Sequence, residues 1–194
     1  MKRIIRDHYL AFLAAVIVGF IYLAPNMFFI FRLGAGYQGI PMMRTANEDF
    51  YLARIQEIID GHFRVSSPVF FEYKNQPSLT PPLGELLYAI PSLLLNTSPA
   101  NILIASRLYL PFILFLLIYF LIHRLTVTAN LLSNKINAVA GALLVTLGYD
   151  LIDYRTLWLL LKGQVYPSGF LLWARPVRPI IGVIIFMSFL ILVW

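Results

Sequence analysis

The run HYLAFLAAVIVGFIYLAPNMFFIF, residues 8 to 31, holds 24 residues without an Asp, Glu, Lys or Arg. A helix rises about 1.5 Å per residue, so this run covers the roughly 30 Å hydrocarbon core of a bilayer. A cleaved leader is the competing reading. Its apolar core is usually about 7–15 residues, and no A-x-A site follows this run. Lys2, Arg3 and Arg6 precede the run, and by the positive-inside rule they place the N-terminus in the cytoplasm.

The rest of the chain keeps to the same solvent. With 60% apolar and 12% charged residues, the 194-residue chain is expected to be an all-α integral protein of the cell (plasma or inner) membrane. About four membrane-spanning helices are expected within a single membrane domain, at 8–31, 102–122, 135–149 and 179–194. Within the segment 81–95 the uninterrupted charge-free run is only the ten residues 86–95, with Pro91 among them, too few to cross, so it is laid along the membrane surface. Residues 32–101 then form a large extracytoplasmic loop, 123–134 a cytoplasmic one, and 150–178 a second external loop. A crossing by 81–95 would invert everything after it. Arg155, Lys162, Arg175 and Arg178 on the second external loop keep that alternative open.

The net charge of +6 is scattered rather than gathered into a basic block, which argues against a nucleic-acid partner. Without cysteine there is no disulfide, thiolate zinc site or thiol nucleophile. His8, His62 and His123 are spread along the chain, which disfavours a histidine metal site.

Six of the nine acidic residues (Glu48, Asp49, Glu57, Asp60, Glu72 and Glu85) fall in the first loop, and Asp150 and Asp153 open the second. Water-facing loops are polar in any case, so the clustering alone assigns no site. The stretch TANEDFYLARIQEIIDG says more. Thr45 and Glu48 have the spacing of a capping box. Tyr51, Leu52, Ile55, Ile58 and Ile59 recur at helical spacing, and Gly61 supplies a left-handed stop, which predicts an amphipathic helix over 46–60. The capping role is sufficient to explain Glu48, whereas Asp49 is not needed for the cap. Further on, Glu72 and Lys74 lie between an aromatic run and Pro77, Pro81 and Pro82. Lys74 could hold a phosphate as a point charge, or simply pair with its neighbour on the surface.

In order and topology these segments resemble the C-type membrane glycosyltransferases, the superfamily of the protein O-mannosyltransferases and the lipid A aminoarabinose transferases. NEDFYLARIQEIIDG is similar to their first-loop helix, written Asp-Glu-x-x-Tyr. FFEYKNQPSLTPPLGELLY resembles their Glu-Lys-Pro stretch. YDLID is placed like their second external acid, and WARPVRP resembles an Arg-x-x-x-Pro pattern of bacterial members. The resemblance implies transfer of a sugar from a polyprenyl-phosphate donor to an acceptor on the external face. Asp49 or Glu48 would be the general base. Glu72 and Lys74 would bind donor phosphate or acceptor, Asp150 or Asp153 would be the second acid, and Arg175 a phosphate ligand. No cofactor is implied, although paired carboxylates leave a divalent cation open. The first acid of Asp-Glu-x-x-Tyr falls on Asn47, which departs from the pattern. Members also have many more than four spans, so the chain is expected to be the N-terminal part of such an enzyme. Two other classes remain: a small transporter or flippase component, and a non-catalytic anchored module that docks another protein.

Overall fold

Short polar signals divide the apolar sequence into helices. Ser98 accepts a hydrogen bond from the Asn101 N–H at 3.3 Å, and Pro99 follows at the first helical position, where its missing N–H costs nothing. Gly61 (φ +91°) ends another helix with paired bonds, His62 N–H to Glu57 O and Gly61 N–H to Ile58 O. Asn96 (φ +47°) closes a third in the same way through Thr97 N–H to Ser92 O. The computed structural model describes residues 2–42, 47–63, 65, 81–126, 131–152, 155, 158–159, 162, 171–175 and 177–194.

Among the described residues the chain is helical, with no strand. The elements are α1 (Lys2–Asp7), α2 (Tyr9–Leu33), α3 (Glu48–Ile59), α4 (Leu83–Leu94), α5 (Pro99–Leu125), α6 (Leu131–Ile152) and α7 (Ile180–Val193). Single 3-10 turns follow α2 and precede α7, at Gly34–Gly36 and Leu172–Ala174. Helix α5 is the central element, packed against α2, α3, α4, α6 and α7.

One end of the bundle is closed by the start of α2, the end of α5 and the start of α6. His8 Nδ1 lies 2.7 Å from the Tyr119 hydroxyl, Lys135 Nζ donates to Asp7 O at 2.7 Å, and Asn134 Nδ2 donates to His123 O at 3.1 Å. The end of α7 joins them through Arg124 Nη1 to Ile191 O at 3.1 Å. Nearer the other end, Tyr22 donates to Thr146 O at 2.6 Å. Helices α2, α6 and α7 are therefore arranged around an α5 that runs antiparallel to α2.

Small residues set the closest approach. Ala11, Ala15, Val18 and Gly19 form the buried stripe of α2. A Cβ on Gly19 would lie 2.6 Å from Leu108 O of α5, so only glycine allows the two backbones this near. The outward face carries Leu13, Phe20, Met27 and Phe31, and Phe31 is 88% exposed. Such a surface suits hydrocarbon rather than water.

Among the described residues two helices are long and apolar enough to cross a membrane: Tyr9–Gly36, counting the 3-10 turn, and Pro99–Leu125, each with mean hydropathy 2.1. These coincide with the expected spans 8–31 and 102–122. The other two expected spans are also helices, but length and composition do not mark them as crossing. Helix α6 covers 131–152 but buries Asn134 and Thr146 and carries Lys135, which dilutes its apolar character. Helix α7 is an apolar helix of 14 residues within the expected 179–194, so its length alone does not mark it as a span. The helices predicted over 46–60 and 81–95 are found as α3 and α4, each shorter by two residues at its start and one at its end. Helix α6 also runs through Asp150, which was expected to open a loop.

Two glycines test the packing. Gly19→Ala must displace the Leu108 carbonyl and is expected to destabilise the bundle by about 1–3 kcal/mol, as overpacking does. At Gly141 a Cβ meets only the movable Ile122 Cδ1, at 2.6 Å, so Gly141→Ala should be near neutral once its better helix propensity is counted. Thermal unfolding of both variants in detergent measures the contrast.

Candidate functional site

Helix α3 presents its acids in the first turn, and the fold separates them. Glu48 is completely buried, with its Oε2 2.7 Å from Arg107 Nη2 on α5. Asp49, one residue on, is exposed, and its Oδ1 accepts the Phe50 N–H at 2.8 Å. Of the two acids expected as a base, Asp49 is thus open to solvent and Glu48 is enclosed. Helix α3 begins at Glu48 itself, and Asn47 at its N-cap makes no side-chain capping bond. Thr45 lies outside the described residues.

Arg107 is the only charged residue between Ile102 and Ile122. Taking a guanidinium and a carboxylate out of water costs several kcal/mol for each, and their attraction at contact distance offsets that only as a pair. Nε and Nη1 of Arg107 are also buried, without a hydrogen-bonding protein atom among the described residues. The pair therefore fixes where α3 lies on α5, because any displacement strands a charge.

A second buried pair repeats the device between the surface helices. Arg54 Nε of α3 donates to Glu85 Oε1 of α4 at 2.6 Å, with the two side chains 5% and 6% exposed. The Phe50 ring covers the Arg54 guanidinium, centroid to Cζ 5.6 Å. Sequence reasoning placed Glu85 among the loop acids and assigned no role to Arg54 or Arg107. The available signal was Arg107 itself, since a lone charge in an apolar helix needs a partner.

The Arg54–Glu85 pair forms part of the wall of a half-open groove of about 490 Å³ between α3, α4 and the start of α7. Phe50 and Tyr51 border it on one side, Val177, Arg178 and Ile181 on the other. The turn before α7 is seated against α4. Val177 holds φ +62°, unusual for a β-branched residue, and its N–H donates to the Tyr88 hydroxyl at 3.2 Å. Its Cγ1 fills the space where Gly84 lacks a side chain, and a Cβ there would collide with it. Burial pushes the Tyr88 phenol up to about 12, so it remains a neutral hydroxyl at physiological pH.

Asp150 lies in the last turns of α6, and Arg175 is exposed just after the 3-10 turn. Glu72, Lys74 and Asp153 lie outside the described residues. Among the described residues no three His, Cys, Asp or Glu side chains cluster to hold a metal ion.

Glu48→Gln and Arg107→Gln should each cost about 3–5 kcal/mol, because each leaves one buried charge alone. The double change Glu48→Leu/Arg107→Leu should cost less than the worse single change. Unfolding of the three variants in detergent checks this coupling. No family model matches the chain, and no curated protein or solved structure is found similar to it.

Proposed function

We propose that the chain carries the first-loop site of a polyprenyl-phosphate-dependent membrane glycosyltransferase, with α2, α5, α6 and α7 crossing the bilayer and α3 and α4 at its extracytoplasmic face. One observation carries this reading: α3 is pinned to α5 by the Glu48–Arg107 pair, and that leaves the Asp49 carboxylate exposed at the head of a rigidly held helix. A base works best when its position does not fluctuate, and α3 is held at two buried ion pairs.

In this reading Asp49 takes the proton of the acceptor hydroxyl as its oxygen attacks the anomeric carbon. The bond from that carbon to the phosphate oxygen breaks, and polyprenyl phosphate leaves with its charge stabilised by a cation. Arg175, and Lys74 from the first loop, are the cations assigned to that phosphate. Asp150 or Asp153 would orient the acceptor.

A second reading has its own support. The neutral Asn47 stands where the family carries its first acid, and Glu48 is held in an ion pair. A chain so arranged could serve as an anchored docking module without transfer activity.

Membranes containing the chain and radiolabelled hexosyl polyprenyl phosphates would be scored for loss of label from the lipid fraction. Asp49→Asn should lower transfer by at least about 100-fold, the lower range for loss of general base catalysis, with thermal stability retained. Unchanged transfer would remove Asp49 as the base. Unchanged transfer together with loss of a co-purifying protein would establish the docking module instead.

A further inference from the structure

The groove between α3, α4 and α7 has an apolar body and one charged end. Leu83, Val177, Ile181 and Ile185 contribute apolar wall, while Ile185 is 61% and neighbouring Phe186 55% exposed. The groove thus continues onto an apolar helix face that has no protein partner among the described residues. A bilayer would place hydrocarbon against that face.

At the other end stands Arg178, two residues before α7. It is exposed, lines the groove and has no acidic partner among the described residues. The other cation in the lining, Arg54, is neutralised by Glu85 at 2.6 Å. A positive charge at the mouth of an apolar slot matches an amphiphile with one negative charge on its head. An arginine just outside an apolar helix also sits at headgroup depth.

The slot is built rather than accidental. Val177 is held in its strained conformation by Tyr88 and Gly84, and such conformations persist only where the surroundings impose them. Gly182 lines the slot, and a Cβ at that position would meet nothing within 4 Å, so the slot lacks a side chain where there is room for one. Its volume of about 490 Å³ falls within the roughly 300–1,000 Å³ of small-ligand sites.

We infer that this groove binds an anionic glycerophospholipid of the surrounding bilayer, with one acyl chain between α4 and α7 and the headgroup phosphate on Arg178. The site needs no transfer chemistry, only that the apolar helices lie in a membrane. Bound there, the lipid would brace α7 against the surface helices.

Native mass spectrometry of the detergent-purified protein tests this, with phosphatidylglycerol and phosphatidylcholine of identical chains supplied together. The wild type should retain phosphatidylglycerol about five-fold over phosphatidylcholine, the effect of one interfacial arginine. Arg178→Gln should equalise the two lipids. Gly182→Trp should lose both. Arg124→Gln, at the opposite end of the bundle, should keep the preference. Far-UV circular dichroism confirms that each variant remains helical, and the exposed Arg178 can be changed without disturbing the core. Retention of neither lipid by the wild type, or a preference that survives Arg178→Gln, overturns the inference. So does displacement of phosphatidylglycerol by equimolar long-chain polyprenyl phosphate, which would assign the groove to that lipid instead.

Discussion

Arg107 is a full positive charge enclosed in the helix that touches nearly every other element. Its burial is tolerable only because Glu48 meets it, and Glu48 can do so only with α3 in one place on α5. Hydrophobic contacts between α3 and the bundle, through Ile55 and Ile58, are strong but would accept several registers. The ion pair is selective where those contacts are not. It converts a helix that could slide along an apolar surface into one with a defined position.

The Arg54–Glu85 pair extends the constraint outward by one layer. With α3 placed on α5, it determines where α4 lies, and α4 in turn receives the turn before α7 through Tyr88 and Gly84. The sequence of dependence is therefore α5, α3, α4, α7. The groove is the space left where the last three meet. Its polar end and its apolar body follow from that order. Charges already paired lie toward α3 and α4, and Arg178, without an acidic partner among the described residues, lies on the side that arrives last.

At the opposite end the bundle is joined differently. There the contacts are hydrogen bonds from Lys135, Asn134 and Arg124 to backbone oxygens, together with the His8–Tyr119 contact and the stacking of His123 on Tyr119. These hold helix ends together without burying opposite charges. The two ends thus differ in stringency, with buried ion pairs at the end that carries the groove and the exposed Asp49.

Local chemistry is legible in the order of the residues alone. Runs of apolar residues mark α2 and α5, the periodicity of Tyr51, Ile55 and Ile58 marks α3, and the ten charge-free residues up to Leu95 mark α4 as too short to cross. Gly61 is legible as a helix stop because glycine adopts positive φ without steric cost. Helix propensity, capping and hydropathy act over a few residues, so sequence order determines them. Which acid answers which arginine is not legible, because Glu48 and Arg107 are 59 residues apart and Arg54 and Glu85 are 31 apart. The acids between 48 and 85 look alike in sequence, and only the packing of α3 on α5 encloses Glu48 and leaves Asp49 outside. Partner choice among like charges depends on distance and desolvation, and both are properties of the packed molecule.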